Sequence, residues 1–296
     1  MRLAGKHILS MSEPDMTYFT HKGILFTPVA TSVELLNYVE NEFQLFDDDV
    51  VTVTYPKSGT NWMLEILGLI QHGGDPSWVR STPVWDRCPW IEAHGCQQKA
   101  LKDLPPRLLA SHLPFQLFPK SFIHSKAKII YVLRNPKDVL VSSYHFSKFF
   151  KGFQDPGAME EFLEKFLRGN VANGSWFDHV RGWMELKDRP NFFLFTYEDL
   201  QKNLRGNVEK LSQILGKNLN SQQINAVVEN ASFHKMKDNN MSNFTQSPLF
   251  NHNTGKFMRK GISGDWKNHL TVAQNEYFDR VYQEKMQDIK TTLQWE

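Results

Sequence analysis

The sequence Thr54-Tyr55-Pro56-Lys57-Ser58-Gly59-Thr60-Asn61-Trp62 lies between two apolar segments. The β-branched residues within 49–53 predict a buried strand, and the apolar segment 63–70 predicts a core helix. A tight turn from a strand into a helix presents the first, unpaired backbone N–H groups of the helix to an anion. Lys57 adds a positive charge, and the neighbouring serine and threonine add hydroxyl groups. Gly59 lets the backbone close on a ligand, so the stretch predicts a phosphate-binding loop.

This loop differs from the Walker A loop of P-loop nucleotide kinases. A Walker A loop requires a glycine five residues before Gly59, where this chain has Thr54. Pro56 fixes the turn instead. Taken alone, the stretch is also compatible with an ordinary strand, turn and helix that carry a surface lysine.

The composition is that of a soluble globular protein. The chain has 296 residues, a hydrophobic content of 41% and a formal net charge of +2. This length allows one large α/β domain or two small ones, and no linker divides the chain. We therefore expect a single domain over residues 1–296, with residues 1–26 as a loosely structured lead-in. The weak basicity argues against a nucleic-acid partner but allows a local basic pocket.

The cysteines and the apolar segments indicate the compartment. Cys88 and Cys96 are the only cysteines, and two thiols without a secretory signal are typical of reduced residues in the cytosol. Residues 1–16 contain no continuous apolar stretch, and no later segment is long enough to span a membrane. We expect a cytoplasmic protein without membrane insertion.

Candidate functional residues follow the other predicted strands. His112 comes directly after a short apolar strand at 107–111, and Arg134 follows the clearest strand, at 128–133. Ligands of open α/β sheets bind at the carboxyl ends of the strands. Ser142 lies in the helix that begins near Pro136, close enough to join Arg134 at a phosphate. A structural histidine and a surface salt bridge are the alternatives for the first two residues.

The rest of the chain is mostly helical. A fourth strand is predicted at 191–196, just before Tyr197. Residues 78–104 lack clean periodicity, which is typical of a functional wall but also of irregular core. The polar, asparagine-rich segment 235–264 is the predicted mobile lid. Further helices are predicted at 32–43, 158–168, 175–186, 206–215, 221–230 and 272–289.

Nearly the whole chain resembles the cytosolic sulfotransferases, with four separated motifs in the same order. These are the Tyr-Pro-Lys-Ser-Gly-Thr-Asn-Trp loop at 55–62, His112 before Leu-Pro, Arg134-Asn-Pro-Lys-Asp with Ser142, and Arg259-Lys-Gly-Ile-Ser-Gly-Asp-Trp-Lys. Within the family, the sequence resembles the hydroxysteroid and amine branches most, for example in Met-Ser-Asn at 241–243. The resemblance implies a single α/β domain with a central parallel sheet, flanked by helices, and a P-loop-like phosphosulfate-binding loop.

The resemblance also implies a donor, PAPS (3′-phosphoadenylyl sulfate), and a role for each matching residue. His112 would be the catalytic base, and Lys57 would assist catalysis. Trp62 and Phe233 would enclose the adenine. The residues that would bind the donor are Lys57, Ser58, Gly59, Thr60, Asn61, Trp62, Arg134, Ser142, Tyr197, Phe233, Arg259, Lys260 and Gly261.

The chain departs from the family pattern at two positions. Many phenol-type members have a lysine two residues before the catalytic histidine, where this chain has Ala110, and this disfavours a phenol acceptor. Where members have a serine or threonine that helps to bind the nucleotide, this chain has Ala231, which predicts slightly weaker donor binding.

The expected acceptor is a lipophilic alcohol of steroid-like size, with a neutral amine as the second candidate. Residues 143–153 contain no carboxylate, so a protonated amine would find no counter-ion there. Core packing is the alternative for the aromatic residues of the wall, most of all for Phe149. The acceptor wall is predicted from Trp85, Phe115, His145, Phe146 and Phe149. The resemblance to the family implies a role in steroid or lipid metabolism or in xenobiotic conjugation.

Residues 267–276, from Lys267 to Glu276, match the short dimer motif of the family and predict a homodimer. A helix start capped by Thr271 is the alternative for this segment.

Two other classes of function remain open. A P-loop nucleotide kinase would need a full Walker A loop, which is missing. A nucleotide-binding protein that has lost catalysis is opposed by the presence of His112 and Lys57. No His, Cys and Asp cluster with metal-ligand spacing is evident, so no metal is expected.

Overall fold

The computed structural model describes residues 17–289, which form an α/β fold around a parallel sheet. In chain order its strands and helices are β1 (Phe19–His21), β2 (Ile24–Phe26), α1 (Val33–Asn41), β3 (Val50–Thr54), α2 (Thr60–Gln71), α3 (Ser77–Ser81), α4 (Val84–Arg87), α5 (Cys96–Lys102), β4 (Leu108–Ser111), β5 (Lys128–Leu133), α6 (Pro136–Ser147), α7 (Met159–Arg168), α8 (Trp176–Met184), β6 (Phe192–Thr196), α9 (Tyr197–Lys202), α10 (Leu204–Ile214), α11 (Ser221–Asn230), α12 (Phe233–Asp238) and α13 (Val272–Met286).

The central sheet has four parallel strands in the order β4-β3-β5-β6. The chain leaves β3 to form β4 on one side and returns to form β5 on the other. Ligands bind where the strand order reverses in this way. The register pairs Thr54 with Val132 and Leu133 with Thr196, so the carboxyl ends of the strands meet at one edge. The four strands predicted from the sequence are confirmed.

Helices cover both faces of the sheet. On one face α2, α10 and α11 pack over β3 and β5, and Met63, Leu64 and Ile66 of α2 are fully buried. On the other face α7, α8 and α13 pack around the buried rings of Trp176, Trp183, Phe166 and Phe278. Strands buried on both faces are apolar along their whole length, which explains the continuous β-branched run of β3.

A β-hairpin begins the described part of the chain and corrects the predicted lead-in. Strands β1 and β2 pair antiparallel through a turn at Lys22 and Gly23, which have φ of 48° and 81°. Positive φ at both central residues is the geometry of a tight hairpin turn. Residues 19–26 are therefore ordered, while residues 1–16 of the predicted lead-in lie outside the described residues.

Two segments that lack periodicity in the sequence contain short helices. Helices α3, α4 and α5 fall within or beside residues 78–104, and each is too short to show an amphipathic repeat. Helix α12 starts the polar segment that ends at Gly264. The remainder of that segment is irregular, but Ser242 donates a hydrogen bond to the buried Glu65 carboxylate, which is paired with Arg87 at 2.8 Å. The lid motion of this segment stays a prediction.

No helix between residues 17 and 289 has the length and hydrophobicity needed to cross a bilayer.

Candidate active site

The predicted phosphate-binding loop connects the end of β3 at Thr54 to the start of α2 at Thr60. Gly59 has a φ of 105°, and a Cβ there would lie 2.7 Å from the Tyr197 ring. Only glycine meets both conditions. No side chain caps the first turn of α2, so its N–H groups are available to an anion. The Ser58 hydroxyl is fully buried, and among residues 17–289 it has no hydrogen-bond partner.

The Lys57 side chain contacts aromatic rings. Its Nζ lies 3.9 Å from the centroid of the Phe146 ring and 4.4 Å from that of Phe257. Burial, together with the charges of Arg134 and Arg259, lowers the pKa of Lys57 to about 7. Within the described range, Lys57 has no carboxylate partner.

His112 follows β4, and its neighbours determine its tautomer. Its Nδ1 lies 2.9 Å from the carbonyl oxygen of Thr54 and 3.1 Å from the hydroxyl of the same residue. Because a carbonyl can only accept a hydrogen bond, Nδ1 carries the proton and Nε2 keeps a lone pair. Burial, partly opposed by the bond to Thr54, lowers the pKa of His112 to about 4. The imidazole is therefore neutral at pH 7 and able to accept a proton.

A buried carboxyl group that the sequence did not reveal holds the backbone of His112. The His112 N–H donates a hydrogen bond of 2.6 Å to Glu92 Oε1. Burial raises the pKa of Glu92 to about 7, and the bond from His112 opposes this rise. Glu92 lies in the irregular segment before α5, where no periodicity points to a contact with β4.

Arg134 joins the phosphate-binding loop to the second motif. It donates hydrogen bonds of 3.0 Å to the Lys57 carbonyl and 2.9 Å to the Ile262 carbonyl. Its guanidinium lies 4.2 Å above the centroid of the Tyr197 ring. Its Nε is buried and, within the described residues, has no partner. The half-buried Ser142 lies further along α6, the helix that follows Arg134.

Arg259 and Lys260 share one carboxylate, that of Asp265. Their ion pairs with it measure 2.7 Å and 2.6 Å. Burial would raise the pKa of Asp265, but hydrogen bonds from Lys260, Asn268 and Arg259 outweigh it and hold the pKa well below its usual range. The sequence analysis missed Asp265 as a partner, although it is part of the quoted motif.

Trp62 and Phe233, the two rings expected at the adenine, lie beside the loop and the second motif, respectively. Trp62 donates a 2.8 Å hydrogen bond to the carbonyl of Ala231, and its ring centroid lies 5.3 Å from that of Tyr197. Gly261 has a φ of 68°, and a Cβ there would lie 2.1 Å from the Phe233 ring. Asn61 is buried on α2 beside Trp62, and its Nδ2 has no partner within residues 17–289.

The predicted acceptor residues fall into two groups. Phe146 lies beside Lys57. It belongs with Trp85 and Phe149 to one aromatic cluster, which also includes three rings of the polar segment, Phe244, Phe250 and Phe257. The sequence analysis missed these three because they lie in the polar segment. Phe149 is only 3% exposed, which favours its core-packing alternative.

Phe115 and His145 have other neighbours. Phe115 packs on Trp183, with 5.5 Å between ring centroids, and His145 lies 5.1 Å from His269. Burial and then the charge of Arg259 lower the pKa of His145 to about 4. A place on the acceptor wall stays a prediction for these two residues, as it does for Trp85, Phe146 and Phe149.

Together these residues suit a polyanion with an apolar ring. The charges of Arg134 and Arg259 act on Lys57, so three cations meet at the carboxyl edge of the sheet. Buried polar atoms are nearly always paired in folded proteins. The unpaired atoms of Ser58, Asn61 and Arg134 therefore fit a phosphorylated ligand. Residues 17–289 contain no group of three His, Cys, Asp or Glu residues that could hold a metal ion.

Comparisons with known proteins show the family of the chain. The family model described as "Sulfotransferase domain" matches residues 47–290. The chain is 50% identical to sulfotransferase 2B1 of Mus musculus over 92% of this chain and 81% of that protein. It is 51% identical to 3-beta-hydroxysteroid sulfotransferase of Cavia porcellus, over 90% of this chain and 93% of that one.

A solved structure has the same fold. A mouse sulfotransferase complexed with PAP is 31% identical and superposes with a TM-score of 0.76, over 92% of this chain and 95% of the other. On the family match and the two relatives, the chain belongs to the sulfotransferase family.

Proposed function

We propose that the protein transfers the sulfuryl group of PAPS to the hydroxyl group of a lipophilic alcohol of steroid-like size, releasing 3′,5′-ADP. The observation that carries the proposal is the meeting of Lys57, Arg134 and the neutral His112 at one edge of the sheet. Family membership supports the reaction and gives no support to the kinase alternative.

The donor is assigned by charge and by shape. Lys57, Ser58 and the N–H groups that begin α2 suit the 5′-phosphosulfate. Arg134, Ser142, Arg259, Lys260 and the Gly261 backbone suit the 3′-phosphate, because charge-assisted bonds to phosphate are the strong ones. Trp62, Tyr197 and Phe233 offer ring faces to the adenine. The mouse sulfotransferase of similar fold is complexed with PAP, the nucleotide that remains when PAPS gives up its sulfuryl group.

The chemistry follows from the protonation states of two residues. His112 Nε2 is free to take the proton of the acceptor hydroxyl, while the Thr54 carbonyl holds the Nδ1 proton and fixes the ring. Protonated Lys57 and the backbone N–H groups of α2 stabilise the negative charge that grows on the departing phosphate oxygen. PAPS supplies the activated sulfuryl group.

The acceptor is assigned from the aromatic cluster around Phe146. Large apolar ligands gain roughly 25 cal/mol per Å² of buried apolar surface. The relative of Cavia porcellus is named for 3-beta-hydroxysteroids and is 51% identical. Residues 143–153 contain no carboxylate to pair with an amine cation. These observations favour an uncharged hydroxysteroid over a charged catecholamine, with a neutral amine as the second candidate.

An acceptor competition tests this function. A hydroxysteroid, an uncharged arylamine and dopamine are incubated at equal concentration with labelled PAPS, and we expect the steroid sulfate to dominate. An excess of dopamine sulfate by an order of magnitude would remove the acceptor assignment. An arylamine preference would favour the second candidate, and the lack of any sulfated product would remove the proposed activity.

A second prediction concerns the 3′-phosphate. The variants Arg259→Ala and Lys260→Ala should each raise the KM for PAPS and erode its advantage over adenylyl sulfate, which lacks that phosphate. Each lost charge-assisted bond corresponds to about 1.5–3 kcal/mol, or roughly 10- to 150-fold. Lys256→Ala removes an exposed charge from the same segment and serves as the control. A donor preference that does not change in either variant would move the 3′-phosphate site elsewhere.

A third prediction concerns the homodimer proposed through residues 267–276. Thr271 caps α13 in a capping box with Gln274, so the capping alternative is confirmed, but a cap and an interface are compatible. Val272 is 76% exposed, which leaves an apolar side chain for a partner. We expect a dimer in sedimentation at micromolar concentration and a monomer for Val272→Glu. Ile123→Glu, on another exposed apolar position, should stay dimeric. A wild-type protein that sediments only as a monomer would end this proposal.

We also place the protein in the cytoplasm. Cys88 and Cys96 are both free thiols, and Cys88 is buried. Unpaired cysteines fit a reducing compartment.

A further inference from the structure

We propose that Phe146 and Phe257 form an aromatic cage that holds the Lys57 ammonium group at the donor loop until the anionic donor takes it over. The cage consists of these two rings, which are nearly perpendicular to each other, and the Lys57 Nζ that contacts both. This inference rests on the proposed function for the identity of the donor. It assigns to both phenylalanines a positioning role, in addition to any contact that they make with an acceptor.

In the cage, two rings make cation–π contacts with one charge, and their planes stand at 81° to each other with 6.1 Å between centroids. The Nζ lies 3.9 Å from one centroid and 4.4 Å from the other, well within the range in which ring faces attract an ammonium. The rings come from different parts of the fold, because Phe146 is on α6 and Phe257 is in the segment that leads to Arg259. Phe257 is itself supported by Phe244, at 4.4 Å between centroids.

Ring faces suit a lysine that must later meet an anion. A cation at this site can also be held by a carboxylate, as Arg259 and Lys260 are held by Asp265. A carboxylate bound to Lys57 would compete with the donor for the ammonium. Two rings attract the ammonium more weakly than a carboxylate does, yet they keep it from turning away from the loop. The backbone of Lys57, with a φ of 71°, is fixed independently by the bond from Arg134.

The experiment measures how readily Lys57 reacts with a trace of acetic anhydride, read by peptide mass spectrometry. It is run at pH 6, because the pKa of Lys57 is about 7 and its ammonium form then predominates. Exposed lysines such as Lys256 provide the internal reference. In the absence of donor, Phe257→Leu and Phe146→Leu should each raise the labelling rate of Lys57 by about fivefold, the factor of a typical cation–π attraction. Phe257→Tyr keeps a ring face and should label within about twofold of the wild type.

Phe244→Leu is the matched control. It loosens the packing behind Phe257 but leaves both rings of the cage in place. If it raises labelling as much as Phe257→Leu does, general loosening is the cause and the cage is overturned. Unchanged labelling in both leucine variants of the cage, with melting temperatures that show folded proteins, would overturn it equally.

A final arm adds saturating 3′,5′-ADP. Protection of Lys57 should then be equal in the wild type and in Phe257→Leu, because the anion and no longer the ring holds the ammonium. If 3′,5′-ADP neither raises the melting temperature nor slows the labelling of Lys57 in any variant, the proposed donor is wrong. The labelling rates measured without nucleotide still test the cage. If saturating 3′,5′-ADP slows the labelling of Lys57 in the wild type but not in Phe257→Leu, the anion does not take the ammonium over from the rings. That result would contradict the proposed transfer.

Discussion

Replacing His112 by alanine is expected to lower kcat by about 10²–10⁴-fold and to leave the binding of 3′,5′-ADP nearly intact. In the proposed mechanism the imidazole acts on the acceptor hydroxyl. Its hydrogen bonds go to Thr54, which precedes the donor loop, and not to the donor-binding side chains of residues 57–62. The neutral ring has its Nδ1 proton committed to a carbonyl. Loss of the ring therefore removes the proton acceptor and little of the anion site.

The measurement compares turnover at saturating acceptor with calorimetric binding of 3′,5′-ADP. His124→Ala is the control, because His124 is exposed in the turn before β5, at the opposite edge of the sheet. A His112→Ala enzyme that keeps most of its kcat would mean that another group is the base. If nucleotide binding is lost along with turnover, His112 supports the loop and is not shown to be the base.

The edge of the sheet that carries the site could be predicted because it depends on local patterns. Apolar runs before Thr54, His112 and Arg134 each marked a strand, and parallel strands bring their carboxyl ends together whatever their order. Lys57, His112 and Arg134 were candidates because each comes just after such a strand. The roles of Phe233, Arg259 and Lys260 were implied by the resemblance to the family. The capping of α13 by Thr271 was also a local signal, and it is present in the structure.

The residues that the sequence analysis missed act through contacts between distant segments. Glu92 reaches His112 from an irregular segment, and Phe257 reaches Lys57 from one rich in asparagine. Neither segment has a period that would point to a buried face. Asp265 was visible in its motif, but only the fold shows that it forms ion pairs with both Arg259 and Lys260. The hairpin at 19–26 was missed because its strands have only three residues each.

The second large effect is expected at Lys57. Lys57→Met keeps an apolar chain of similar length but removes the charge that faces the departing phosphate, and should lower kcat by about 10²–10³-fold. Binding of 3′,5′-ADP should also change with pH in the wild type. Because the pKa of Lys57 is about 7 without donor, the amine is largely neutral at pH 8 and must take up a proton to pair with the anion. Affinity should therefore fall above pH 7, by up to about tenfold for each pH unit.

Calorimetry at pH 8 in buffers of different ionisation enthalpy measures this proton uptake. Burial also raises the pKa of Glu92, which holds the backbone of His112, to about 7. Glu92→Gln removes that titration and leaves Lys57 in place, so the proton uptake and the fall in affinity should persist in it. Both should vanish in Lys57→Met, because methionine cannot bind the proton. Proton uptake that disappears in Glu92→Gln but remains in Lys57→Met would assign the titration to the Glu92 carboxyl group. Lys57 would then keep the same charge in the free and the nucleotide-bound protein.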